Sequence, residues 1–228
     1  MHKLNREKAE APQCLNEYDH NRQAWEHLGD ECKRQLRAAL VQMQGIPEVT
    51  TPEASEYGVR CAYCEDAIYH DGHIEHFRRK NLNHFPELTF EWHNLFLACG
   101  SRKHCGHYKD RQNADPYDPA NLIKPDIEDP EDYLYFHSSG EIRSREGLDI
   151  NQKTKANETI RVFGLDNPAL ESSRARALKT YKDTVLSDLD EIAEWDSELR
   201  EAYIQEEIEK TQWQAFSTTI KHFLSNVL

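Results

Sequence analysis

No stretch of this 228-residue chain approaches the ~18 consecutive apolar residues that a membrane-spanning helix needs, so a helical membrane protein is excluded. The opening MHKLNREKAEAPQC also lacks the apolar core of a secretory signal, and a cytoplasmic protein without a membrane partner is expected. Positive charge is scarce. Against 41 Asp and Glu there are 28 Lys and Arg, a formal charge of -13 that suits a stand-alone nucleic-acid binder poorly, because phosphate contacts need basic side chains. Internal repeats and low-complexity segments are missing too. What remains is a polar chain, 30% charged, long enough to bury a core in one or two domains.

The charge is unevenly spread. Between His73 and Arg111 the bases Arg78, Arg79, Lys80, Arg102, Lys103, Lys109 and Arg111 outnumber the acids Glu75, Glu87, Glu91 and Asp110, whereas acids dominate from Tyr181 to Lys210. A locally basic site on an acidic body implies that affinity for nucleic acid comes partly from a partner. The acidic face of the last helices reads first as solvated surface, and second as a docking face.

Six cysteines in a chain expected in a reducing compartment point to metal more than to disulfides. Cys61-Ala-Tyr-Cys64 and Cys99-Gly-Ser-Arg-Lys-His-Cys105 form two knuckles, and two thiolate pairs brought together supply the tetrahedral sulfur shell of structural zinc. Cys14 and Cys32 lie apart, and Cys32 reads as a buried apolar residue.

Trp25, Leu28, Cys32, Leu36, Leu40 and Met43 recur at steps of three and four, which predicts a helix from about Asp19 to Met43, stopped by Gly45 and Pro47. Val49 to Gly58 reads as a linker. Ile74 to Phe77 and Leu88 to Ala98 are expected to form a hairpin, followed by a helix through His107 to Asn113. Four prolines make residues 116–130 an extended connection, and Tyr133 to Ser144 reads as a second hairpin about Ser139-Gly140. Thr154 to Phe163 and Pro168 to Leu228 read as helices. The expected organisation is a helical region over residues 1–57, a catalytic core over 58–115, a connection with a hairpin over 116–150 and an acidic helical region over 151–228.

Between and just past the knuckles lie Gly72-His73-Ile74-Glu75-His76-Phe77-Arg78-Arg79-Lys80, Trp92-His93-Asn94-Leu95 and Gly106-His107-Tyr108-Lys109. An acid directly before a histidine at a strand end can hold a divalent ion while the imidazole deprotonates water, the combination that phosphodiester hydrolysis requires. An asparagine in the intervening loop can orient that imidazole by hydrogen bonding, and a ligand on the following helix closes the metal site. Lone histidines are more often packed or solvated, so His70, His84 and His93 receive no role; His73, two positions before Glu75, is a neighbour of the site. The flanking Arg78, Arg79, Lys80, Lys103 and Lys109 are candidates for phosphate-backbone contacts.

The order Cys-x-x-Cys, Glu75-His76, Asn94, Cys99, Cys105, His107 and Lys109 resembles an HNH endonuclease with its zinc knuckles. More narrowly, HIEHFRRK, NLFLAC and CGHYK resemble the HNH protein of Septu-type anti-phage systems, the PtuB-like family, most distinctively over residues 58–113. The resemblance implies an α+β protein, mainly helical, around a ββα-metal core with a four-cysteine zinc site. It implies His76 as general base, Glu75 as ligand of a catalytic divalent ion such as Mg2+ or Mn2+, Asn94 as the residue fixing the base and His107 as second metal ligand. In many HNH proteins the last ligand follows the cysteine directly; Gly106 stands there in this chain, and one residue on a helix turns the side chain by about 100°. His104 is therefore a rival. The resemblance further implies a nucleic-acid substrate and an ATPase partner of the PtuA-like type, and, for retron-associated members, a reverse transcriptase with its DNA. A non-catalytic zinc module and a free-standing restriction-type endonuclease are the competing readings.

Overall fold

Helix α1 (Asp30–Gln44) starts well after the predicted Asp19. Gly29 is extended at its N-cap (φ -63°, ψ 150°) and gives its N–H to Tyr18 Oη at 2.9 Å, so the apolar spacing at Trp25 and Leu28 falls on a 3-10 turn (Trp25–His27) and not on the helix. Leu36 and Leu40 of α1 are fully buried. Cys32 is buried as expected but is also bonded: it forms a disulfide with Cys14, a pairing that the expectation of a plain apolar residue missed.

A computed structural model describes residues 1–46, 58–68, 72–185, 192 and 194–227. The expected linker from Val49 lies, apart from Gly58, outside the described residues. About half of the described chain is helical, with two small sheets of two strands each. Strand β1 (His73–His76) pairs antiparallel with β2 (Leu95–Ala98), His73 opposite Ala98 and His76 opposite Leu95. The short helix α2 (Cys105–Lys109) follows.

The second arm of the predicted hairpin, from Leu88, is shorter than the β-rich composition suggests. Asn94 and His76 take up the carbonyls of Leu88 and Thr89, which leaves 3-10 turns at Pro86–Leu88 and Trp92–Asn94 where a ladder was expected. The second hairpin is β3 (Leu134–Phe136) with β4 (Ile142–Ser144), turning at Gly140 (φ +91°), where glycine is needed twice over because an added Cβ would lie 2.0 Å from the Glu171 carbonyl.

The remaining helices are α3 (Ile150–Phe163), α4 (Pro168–Val185), α5 (Ser197–Thr211) and α6 (Ser217–Val227). Asp149 caps α3 through the N–H groups of Asn151 and Gln152, and Gly164 closes it in the left-handed conformation. The buried Arg174 of α4 ties the second hairpin to the end of α3 by donating to the Gly140 and Leu165 carbonyls. One buried apolar cluster runs from α1 through β2 to α3, with Phe77, Phe96 and Phe163 at its centre, and a second joins α4 to α6 through Leu178, Tyr181, Ile220 and Phe223. Among the described residues no helix is long and apolar enough to cross a membrane.

Candidate functional site

The thiols of Cys61, Cys64, Cys99 and Cys105 are all buried and lie within 4.8 Å of one another. A tetrahedron with ~2.3 Å metal–sulfur bonds has sulfur–sulfur edges of about 3.8 Å. The contacts here, 3.6 Å for Cys61 to Cys105 and 3.8 Å for Cys64 to Cys99, match those edges, so the donor set and its spacing fit a structural zinc ion. Burial pushes the Cys64 and Cys105 thiols up, while hydrogen bonds from Cys105 and its neighbours pull Cys99 down. A divalent cation resolves such a conflict by taking the place of the thiol protons.

The cluster fixes the start of α2 against the first knuckle, and that placement turns the two histidines beside it in different directions. His104 is turned towards sulfur, its Nδ1 3.2 Å from Cys105 Sγ and 3.7 Å from Cys99 Sγ. His107, one turn on, stacks on His73 with ring centroids 4.1 Å apart and planes 10° from parallel. His73 Nε2 lies 3.1 Å from Glu75 Oε2. His107 thus shares a patch with Glu75, and His104 does not. The donor atoms of His73, Glu75 and His107 do not gather as the thiols do; among the described residues the group placed to hold a metal ion is that of the four cysteines.

Lys109 is part of the reason. The expectation of a phosphate-contacting lysine is corrected by its burial: the side chain is fully enclosed, and its ammonium lies 2.9 Å from Glu75 Oε1 and donates to the His76 carbonyl at 3.0 Å and to Asp110 Oδ1 at 2.7 Å. Burial alone would raise the Glu75 carboxyl, but the Lys109 charge and the His73 contact reverse this and hold it at about 2. Arg79 is also spent internally, on Asp110 and the Lys109 carbonyl. Gly106 explains itself here: a Cβ would lie 2.2 Å from Glu75 Oε2, so the residue that departs from the usual HNH pattern is the one that leaves room for the carboxylate.

Strand alternation sends His76 to the other face of β1 from Glu75. The residue is 4% exposed, its Nε2–H donates to the Thr89 carbonyl at 2.9 Å, and Trp25 meets its ring nearly at right angles with centroids 4.5 Å apart. Nε2 is therefore the protonated nitrogen and Nδ1 carries the lone pair. Burial, aided by the Lys80 charge, lowers the ring to about 4, so it is neutral at pH 7.

Asn94 makes its side-chain hydrogen bonds to the backbone and none to the ring. Its amide accepts from the Arg78 N–H at 2.8 Å and donates to the Arg78 and Leu88 carbonyls at 3.0 and 3.1 Å, so it clamps the chain leaving β1 to the loop that carries Thr89. The expected contact of asparagine with imidazole is replaced by a backbone clamp one step removed. Thr89, Trp25 and the ion-pairing role of Lys109 were not legible in the sequence. Thr89 contributes only a carbonyl, which every residue has, and Trp25 lies 51 positions from His76.

No family model matches the chain. The chain is similar to the Septu protein PtuB of Bacillus mycoides strain KBAB4, 28% identical over 179 residues, which is 67% of this chain and 59% of that protein. The likeness to a PtuB-like Septu protein expected from the motifs is thus found, and the match spans 59% of the length of the relative.

Proposed function

We propose that this PtuB-like chain is a metal-dependent endonuclease of the HNH type, hydrolysing phosphodiester bonds in nucleic acid as the effector of an anti-phage defence complex with a PtuA-like ATPase partner. The observation that carries the reading is His76. A neutral imidazole stands at the end of β1 with Nε2–H fixed by a carbonyl and Nδ1 free to accept a proton, directly after an ionised carboxylate and beside a short helix pinned by four thiols. The strand–strand–helix order around a thiol cluster supports the ββα assignment. Likeness to a Septu protein supports the defence role and the partner.

In this reading Asn94 and Thr89 position His76, and Glu75 and His107 hold a catalytic divalent ion, with His73 next to them. When bound, such an ion stabilises the charge that develops on the scissile phosphate. Glu75 meets the first requirement of a ligand, ionisation at neutral pH. Lys109 neutralises it in the absence of the ion.

A second reading, a zinc-bound assembly module without turnover, is favoured by one specific observation: Glu75 is already engaged by Lys109 and His73, and among the described residues it belongs to no group of three or more donors placed to hold a metal ion. The two separate in one experiment. His76→Ala is assayed for metal-dependent cleavage of DNA and RNA together with the ATPase partner, with zinc content and circular dichroism measured on the same samples. The nuclease reading expects cleavage by the wild type and its loss in the variant, with zinc and fold retained. Unchanged cleavage in the variant removes His76 from the mechanism, and no cleavage by the wild-type complex favours the module.

A further inference from the structure

A cavity of about 320 Å³ lies between the first residues of the chain, the end of α1 and the start of α6. Neither Glu75, His76 nor His107 lines it, so it stands apart from the site above. For a chain of charge -13 its lining is unusual: Lys3, Lys8, Arg60 and Lys221 are basic, and Glu131 is the one acid. Glu131 is matched by Lys221 at 2.8 Å. Arg60 forms the floor. Its guanidinium is buried, bonded to Ser217 and 3.6 Å from Glu65 Oε2, yet its Nε is enclosed with no partner. His2 Nδ1 is enclosed without a partner as well. Lys3 and Lys8 stand exposed at the rim, and among the described residues neither lies within ion-pair distance of a carboxylate.

Trp213 forms a wall, with Lys8 Nζ at 5.3 Å and Arg60 Cζ at 5.8 Å from its ring centroid. Two cations over one ring repel each other. Consistently, burial and the Arg60 charge both pull the Lys8 ammonium down. With Arg60 held only at 3.6 Å by Glu65, Lys221 matched by Glu131, and Lys3 and Lys8 without a carboxylate among the described residues, the lining keeps an excess of positive charge, which suits a compact polyanion. A phosphomonoester supplies ~1.5 to 2 negative charges on three acceptor oxygens, enough for the floor and the rim together. The volume lies at the lower end of small-molecule sites, which leaves room against Trp213 for what the phosphate is attached to.

We propose that this cavity binds a terminal phosphate, that of a mononucleotide or of a 5′-phosphorylated strand end, with Arg60 at its floor and Lys3 and Lys8 at its rim. The test is calorimetric titration of the zinc-loaded full chain with AMP, with inorganic phosphate, and with two short single-stranded DNA oligomers that differ only in a 5′-phosphate or 5′-hydroxyl. Saturable one-to-one binding of AMP or of the phosphorylated oligomer is expected, competed by inorganic phosphate and weakened roughly tenfold or more in Lys3→Gln/Lys8→Gln. Tighter binding of the phosphorylated oligomer than of AMP assigns strand ends as the ligand; the reverse order assigns free nucleotide. Both lysines are exposed, so the variant is expected to keep its circular dichroism and zinc content; Lys8→Gln alone gives the same reading if the pair does not fold. The proposal is overturned if neither probe saturates at millimolar concentration, if the two oligomers bind alike and AMP does not bind, or if the substitutions leave the affinity unchanged.

Discussion

Replacing Lys109 by methionine tests the electrostatic logic of the site most directly. The wild-type ammonium and the Glu75 carboxylate are 2.9 Å apart with side-chain exposures of 0% and 7%, so the pair is shielded from water. Removing one partner of a buried pair costs about 3–5 kcal/mol, because the other charge is left uncompensated in a poorly solvating interior. Methionine keeps most of the volume, so packing loss is small, but the His76 carbonyl also loses its donor at 3.0 Å, which contributes about 1 kcal/mol of the total. Lys109→Met should therefore lower stability by about 4 kcal/mol. Adding Glu75→Gln removes the stranded charge and should restore about 2–3 kcal/mol, leaving the carbonyl term. The assay is urea unfolding at pH 7 and 25 °C at a fixed free-zinc concentration, since ligation of the thiols contributes to apparent stability. A single-variant loss below about 1 kcal/mol, or additivity of the two substitutions within about 0.5 kcal/mol, would refute the pairing.

Chelation of metal should unfold the region around α2, because the four thiols are the link between Cys61, Cys64, Cys99 and the helix start; loss of far-ultraviolet dichroism on adding chelator, reversed by zinc, checks this, and retention of the signal contradicts it. The depressed His76 pKa makes stability fall with acid. Above the usual 6.5 the ring is neutral in both states, and as pH drops the unfolded chain takes up a proton that the folded ring resists down to about 4. Between pH 7 and pH 5 this amounts to about 2 kcal/mol, which His76→Gln should abolish when melting curves of the two proteins are compared at both pH values. The Cys14–Cys32 disulfide closes a loop of sequence separation 18, so Cys32→Ser should cost about 3 kcal/mol against the oxidised protein and much less against the reduced one. Equal losses in both redox states would assign the effect to packing of residue 32 instead.

The sequence alone determined the features that rest on local chemistry. Two cysteine knuckles predict a thiolate cluster because the residue type carries the ligand, and they meet as expected. The second hairpin, the break at Gly45 and the apolar face of α1 beyond Cys32 follow from turn chemistry and period. Tertiary structure decided what depends on long-range approach. His104 and His107 are chemically alike and three residues apart; only the docking of α2 through Cys105 turns one to sulfur and the other to His73. Lys109 is written like any solvated lysine until β1 brings Glu75 beside it, and Cys32 like any small apolar residue until Cys14 is folded onto α1. Side-chain identity specifies which interactions a residue can make. Which ones it makes is fixed by neighbours tens of positions away, whose arrival the chain's local pattern does not encode.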